Sequence, residues 1–259
     1  MTEMTAPVVI IQTEEIYVFL HITKEINAML NVLRQEEKYP LNLQEAIQFS
    51  YRFSQLLMPD SYSADGSYMV RSLYFDTVDD RDFFDKITEQ NQRHKIRLRI
   101  YSPDAVTAKL EVKQKSGCYQ RKRSLTISRE DALALIDSRY SVLLNYSEDL
   151  AAELFAIMTA ECYRPKSIVE YQRQAFMARE NNIRLTFDSR ICATESSMEL
   201  FSPNLPLNPV LDTDKVIFEV KYDRFMLDYI KEIISNVNRR NISSSKYCMS
   251  RSIGYPLQI

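Results

Sequence analysis

The stretch RHKIRLRIY, residues 93–101, sets a cation on every second residue: Arg93, Lys95, Arg97 and Arg99, with Tyr101 closing the series. A period of two is a strand period, so these cations share one face while Ile96, Leu98 and Ile100 share the other. The pattern recurs. One phase reads Lys109, Glu111, Lys113, Lys115, then Arg184, Thr186, Asp188, Arg190, then Glu219, Lys221, Asp223; the other reads Leu110, Val112, Leu185, Phe187, Phe218, Val220. A fold for this chain must therefore place several strands that are apolar on one face and densely charged on the other. One solution is a sheet with a solvated face, Lys and Arg acting as solubilising residues. The other is a closed barrel in which the charged phase lines a tunnel and the apolar phase packs outward on helices. Like charges opposite one another destabilise a sheet unless an anion is expected between them, which weighs against the first.

Seven segments have strand character: 67–77, 94–102, 107–115, 119–127, 167–176, 183–191 and 215–223. Short connections through Ser116-Gly117-Cys118 and Glu180-Asn181-Asn182 suit antiparallel hairpins. Helical spacing appears over 13–33, 42–58, 129–139, 147–160 and 224–238. In the second of these, Asn42 and Glu45 form an N-cap pair, Pro59 ends the run, and Leu43, Ala46, Ile47, Tyr51, Phe53 and Leu57 make an apolar stripe. Strands and helices together make the expected fold class α+β, with two arrangements open at this point: a sheet solvated on its charged face, or an antiparallel β-barrel tunnel with helices outside. No repeat, low-complexity tract or Gly/Ser linker divides the chain.

Composition removes several function classes. With 33 Lys and Arg against 35 Asp and Glu, the molecule is no polycation for coating nucleic acid, so any anion site is local. Three glycines, Gly66, Gly117 and Gly254, cannot write a phosphate-cradling GxGxxG or GxxxxGK[ST] loop; side chains must hold any phosphate. Four scattered cysteines and two histidines argue against a zinc or disulfide framework and suit a reduced, cytoplasmic setting. No segment has the roughly 18 consecutive apolar residues of a membrane-spanning helix.

The ordered series RQEEKY (34–39), RSLYFDT (71–77), KIRLRIY (95–101), LEVKQK (110–115), YQRQAF (171–176), IRLTFD (183–188), FEVKYD (218–223) and SSKY (244–247) resembles the VTC domain. This is the polyphosphate polymerase domain of the vacuolar transporter chaperone complex and its bacterial relatives, a branch of the triphosphate tunnel metalloenzymes. The resemblance divides the chain into an N-terminal extension, 1–33, expected to be helical, and a tunnel domain, 34–259. It implies an antiparallel β-barrel tunnel with helices packed outside, ATP binding with the triphosphate in the tunnel, γ-phosphoryl transfer to a growing polyphosphate chain, and a divalent Mn²⁺ or Mg²⁺ ion. It implies no nucleic-acid partner and no membrane insertion, but leaves room for a membrane-protein partner.

Carried onto this sequence, the resemblance assigns the first strand's cations to Arg34 and Lys38, with Glu36 between them. The RLR pair is Arg97 and Arg99, supported by Lys95, with Arg93 outside the tunnel. Lys113 is the lysine of the E-x-K strand and Lys115 follows it. Arg173, Arg184, Ser245 and Lys246 complete the phosphate contacts; Glu219 is the metal ligand, with Lys221 two positions on. Lys38, Arg97, Arg99, Lys113 and Glu219 form the expected catalytic set. These residue types suit the chemistry, because phosphoryl transfer requires positioning and charge stabilisation rather than covalent help, and guanidinium forks bind phosphate oxygens in pairs.

One strand departs from the pattern. If Lys113 faces inward, YQRKRSL places Gln120 and Lys122 inward and is one cation short, unless a bulge near Gly117 turns Arg121 and Arg123 in. Triphosphate hydrolysis in the same site, and noncatalytic sensing of polyphosphate or nucleotide, are the rival functions.

Overall fold

The computed structural model describes residues 34–63, 66–117, 119–235 and 242–251, with backbone alone for Arg34 and Tyr119. The N-terminal extension 1–33 and the helix expected within it lie outside the described residues. Among the described residues all ten strands belong to one antiparallel sheet: β1 (Arg34–Asn42), β2 (Met58–Pro59), β3 (Tyr68–Asp76), β4 (Gln92–Ile100), β5 (Thr107–Ser116), β6 (Tyr119–Ser128), β7 (Arg164–Met177), β8 (Arg184–Thr194), β9 (Asn208–Pro209) and β10 (Lys215–Asp223). The helices are α1 (Leu43–Ser54), α2 (Arg81–Ile87), α3 (Arg129–Ile136), α4 (Asp149–Ala160), α5 (Asp228–Ser235) and α6 (Lys246–Arg251). Each predicted strand is present. β1, read above only through the resemblance, joins them at the sheet edge, and α2 and α6 are helices that periodicity did not reveal.

The main hydrogen-bonded order is β1-β10-β8-β7-β3-β4-β5-β6, which leaves β1 and β6 as edges. The expected α+β fold is present, but among the described residues the barrel is not closed by main-chain pairing. Side chains bridge it instead. Glu36 on β1 meets Lys113 on β5 at 3.0 Å, although five strands separate β1 and β5 in the order. In a flat sheet six strand spacings would be about 29 Å. Lys38 on β1 and Lys95 on β4 likewise reach consecutive residues, the Ser244 carbonyl at 2.9 Å and the Ser245 hydroxyl at 2.6 Å. The sheet is therefore curled, with the charged phase on its concave face.

The convex face is covered in two halves. Leu73, Phe75, Ile96, Leu98, Ile100, Leu110, Val112, Leu125 and Ile127 pack beneath α3, α4 and the 3-10 turn Tyr140–Asn145. Across the sheet, Phe187 and Phe218 stack with ring centroids 4.7 Å apart and receive Phe49 and Phe53 of α1, while Ile230 and Ile234 of α5 join the same cluster. On the concave side, Tyr247 and Cys248 of α6 close an apolar patch formed by Val70, Tyr74, Val169 and Tyr171.

Two readings from spacing need correction. The N-cap of α1 is as expected, since Asn42 and Glu45 form a reciprocal capping box, but the helix ends at Ser54 and Met58–Pro59 pairs with β7. Its buried residues are Ala46, Phe49 and Phe53, whereas Leu43, Ile47 and Tyr51 are exposed. Two apolar rows compete on this helix, and the phenylalanine row wins because it stacks on the rings of β8 and β10. Arg190, placed by alternation in the charged phase, is exposed; it has φ of 51° opposite a register shift at Glu170/Gln172 in the β7–β8 pairing. That bulge flips the phase, and Ile191 and Ala193 join the concave apolar patch.

In urea unfolding, Phe53→Ala is expected to lose about 3–5 kcal/mol, while Tyr51→Ala stays within about 0.5 kcal/mol. Equal losses would place the wrong helix face against the sheet.

Candidate functional site

The register makes the electrostatic problem concrete. Arg99 lies opposite Lys109, Lys95 opposite Lys113, Lys113 opposite Lys122, and Lys221 opposite Arg184. Each is a like-charge pair of the kind that destabilises a sheet. Interleaved carboxylates offset them. Glu111, 2 % exposed, receives Arg97 at 2.8 Å through both Nε and one terminal nitrogen, Arg99 at 3.7 Å, and the Lys122 ammonium. Asp188, fully buried, takes a bidentate fork from Arg173 at 2.6 and 2.7 Å and the Lys246 ammonium at 2.6 Å. Glu36 holds Lys38 at 2.9 Å and Lys113 at 3.0 Å. Glu219 pairs with Lys221, and Asp60 with Arg184.

Tyrosines orient several of these cations. Tyr74 Oη accepts from Arg97 at 3.1 Å, and Tyr68 Oη accepts from Arg184 at 3.1 Å. The Tyr171 ring lies 4.8 Å from the Lys246 ammonium and 5.2 Å from the Arg173 guanidinium, with its hydroxyl 3.5 Å from Arg99. Ser72 Oγ accepts from Arg99 Nε at 3.2 Å. Tyr171 belongs to the YQR segment and Tyr74 to RSLYFDT; sequence reading passed over both because Tyr also suits a strand core. Alternation from Arg173 would have pointed to Tyr171, which shares its strand and phase.

The charges perturb one another as confinement requires. Burial pulls Lys95 down to about 8, and burial likewise brings Lys221 to about 8 against the opposing pull of Glu219. Glu111 is held at about 2: burial would raise it, and Arg97, Arg99 and Lys122 outweigh that. Glu36 also falls to about 2, Lys221 and Lys38 overcoming burial, and Asp188 to about 2 through Arg173 and Lys246. Burial opposes ionisation of Glu219 too, but Lys221, Lys38 and Lys246 hold it well below the carboxylate range.

Of the predicted residues, Lys38, Lys95, Arg97, Arg99, Lys113, Lys122, Arg173, Lys221, Ser245, Lys246 and Glu219 are linked by these contacts on the concave face. Arg184 stands at one end of it. Lys115 makes no ion pair among the described residues, and the side chain of Arg34 lies outside them. Arg93 donates to the Gln90 carbonyl, away from the group. The alternative through a bulge near Gly117 is overturned: β5 and β6 pair without a shift, Lys122 shares the Lys113 phase, and Arg123 turns outward to Glu153 of α4 at 2.5 Å. Gln120 thus leaves β6 one cation short.

A hard-cation site can be tested on the donors present. Thr186 Oγ1 is buried without a hydrogen bond among the described residues, and directly across the β10–β8 pairing the buried Glu219 Oε1 meets the Lys221 ammonium. No group of three His, Cys, Asp or Glu gathers among those residues. Buried oxygen donors with few carboxylates suit an ion that shares its shell with phosphate and water.

The depressed carboxylates make stability pH-dependent. Glu111 is ionised in the folded protein below its ordinary 4.5, so its contribution is full above pH 4.5 and is lost as pH falls towards 2. Glu111→Gln strands three cations and is expected to cost about 3 kcal/mol at pH 7 in anion-free buffer, and to flatten the acid limb. Adding inorganic tripolyphosphate should restore most of the loss. Denaturant titrations at pH 7 and across pH 2–5 measure both; unchanged stability would remove Glu111 as the anchor.

Comparison with known proteins agrees with the sequence series. A Bacillus halodurans structure provisionally named an adenylate cyclase is 13 % identical, with a TM-score of 0.48 over 82 % of this chain and 95 % of its own. The Pyrococcus horikoshii protein PH1819 is 10 % identical, with a TM-score of 0.44 over 85 % and 98 %. These likenesses are too distant to bear on the chemistry, and no curated protein sequence matches. The VTC domain family, however, matches residues 33–255, spanning every described strand and helix. The chain belongs to the VTC domain family.

Proposed function

We propose that the concave face binds the triphosphate of ATP and transfers its γ-phosphoryl group to the end of a polyphosphate chain. The observation that carries this reading is the convergence of Arg97, Arg99 and Lys122 on the single carboxylate of Glu111. Three donors aimed at one pair of oxygens are already arranged as a phosphate group would need them.

In this reading Arg97 and Arg99 fix phosphate oxygens, their forks held by Tyr74 and Ser72, so little reorganisation is needed when charge develops on the transferring group. Lys38, Lys113 and Lys246 spread positive charge along the chain. Lys95 and Lys221, with pKa near 8, are charged at neutral pH and gain stabilisation from an entering anion. Glu219, with Thr186 beside it, would hold a divalent Mn²⁺ or Mg²⁺ ion, which when bound supplies charge neutralisation at phosphate oxygens. A terminal phosphate oxygen of the acceptor attacks the γ-phosphorus in line; the bond to the bridging oxygen breaks and ADP leaves. No described helix is long and apolar enough to cross a membrane.

Pure protein incubated with ATP and Mn²⁺ should yield a ladder of polyphosphate lengths on a resolving gel, and Arg97→Ala with Arg99→Ala should abolish it. Free phosphate without a ladder would replace polymerase by hydrolase; nucleotide binding with neither product would leave a sensor. Glu219→Gln should keep metal-free ATP binding, lose the tightening that Mn²⁺ gives, and lose turnover. Unaltered Mn²⁺ dependence would remove Glu219 as the ligand.

A further inference from the structure

The cation rows of the concave face end in rings. On β4 the alternation Lys95, Arg97, Arg99 continues to Tyr101, and on β3 the concave row of Tyr74, Ser72 and Val70 begins at Tyr68. Tyr62, in the 3-10 turn Ser61–Ser63, completes a trio with them. It stacks on Tyr101, centroids 5.1 Å apart and planes 18° from parallel, and lies 5.5 Å from Tyr68, which is 6.0 Å from Tyr101. Tyr62 is 56 % exposed, although its ring stacks on Tyr101.

The trio is joined to the groove's cations. Tyr68 Oη accepts from Arg184 at 3.1 Å, Asp60 beside the turn pairs with the same Arg184, and Tyr68 lies opposite Arg173 in the β3–β7 register. Arg184 Nε is buried without a hydrogen bond among the described residues, a donor still to be used. The Lys109 ammonium, opposite Arg99 in the β4–β5 register, stands 5.9 Å from the Tyr101 ring. An apolar flat surface, an adjoining guanidinium and a groove of cations behind it are what a base, ribose and phosphate chain would meet in order.

We infer that the exposed face of Tyr62, backed by Tyr101, is the stacking platform for the base of a nucleoside triphosphate. This rests on the phosphate-binding reading of the concave face and adds the nucleoside end to it. Stacking uses a π-face that every base has, so the platform separates a nucleotide from a bare phosphate chain and does not choose strongly among bases.

The test is equilibrium binding of ATP and of inorganic tripolyphosphate to the full chain and to its Tyr62→Ala and Tyr62→Phe variants. Tyr62→Ala is expected to weaken ATP at least about fivefold and to leave tripolyphosphate within about twofold. Tyr62→Phe, which keeps the ring, should bind both as the unaltered protein does, and GTP should track ATP. If tripolyphosphate binds but ATP affinity is the same in Tyr62→Ala, the platform is overturned while the phosphate site stands. Equal weakening of both ligands also overturns it, because the ring would then act on the groove itself. Binding of neither ligand by the unaltered chain overturns the phosphate reading and the platform together.

Discussion

A concave face with this many cations survives without ligand because four carboxylates are threaded through it. Glu36, Glu111, Asp188 and Glu219 each stand within reach of at least one cation, most of two or three, and all are held ionised below their ordinary range. Without them the cross-strand pairs Lys95/Lys113, Lys113/Lys122 and Lys221/Arg184 would repel at strand-pair distance. The carboxylates also fix geometry, since an Arg fork bound bidentately to Asp188 has few rotamers left. A phosphate entering the groove competes for the same nitrogens and finds them in place.

The curl of the sheet depends on both faces. Outside, two separate apolar clusters brace its halves, one under α3 and α4 and one under α1 and α5. Inside, α6 fills the apolar end of the concave surface. Its Tyr247 stacks on Tyr74 at 5.1 Å and donates to the buried Asp76, and its neighbours Lys246 and Ser245 face Asp188 and Lys95. The same short segment therefore closes the apolar patch and carries two members of the charged group. Packing and site are coupled through Tyr74, whose ring belongs to the patch and whose hydroxyl orients Arg97.

Strand positions and the inward phase were legible because a period of two survives any tertiary context that keeps the strand, and β10 matches its predicted span residue for residue. What failed was governed by features without a period. The bulge at Arg190 reverses the phase with a single left-handed residue, and nothing in SRIC announces it. On α1 two apolar rows were available, and only the rings waiting on β8 and β10 decide between them. Phase left Lys122 open against Arg121 and Arg123, and only the unshifted β5–β6 register settles it for Lys122. Which carboxylate each cation would choose was hidden, since Glu36 and Lys113 lie 77 residues apart and meet only because the sheet curls. The tyrosines were hidden for a chemical reason: a Tyr on a strand serves equally as core filler and as hydrogen-bonding partner.

Central to this account is a single anion site built by side chains from strands distant in the sheet. Titration calorimetry of inorganic tripolyphosphate into the protein over a range of NaCl concentrations tests it directly. The account predicts one saturable site per chain, with affinity that falls steeply as salt rises and disappears when Arg97 and Arg99 are both replaced by alanine. Several weak sites indifferent to those replacements, or no saturable binding at low salt, would contradict it.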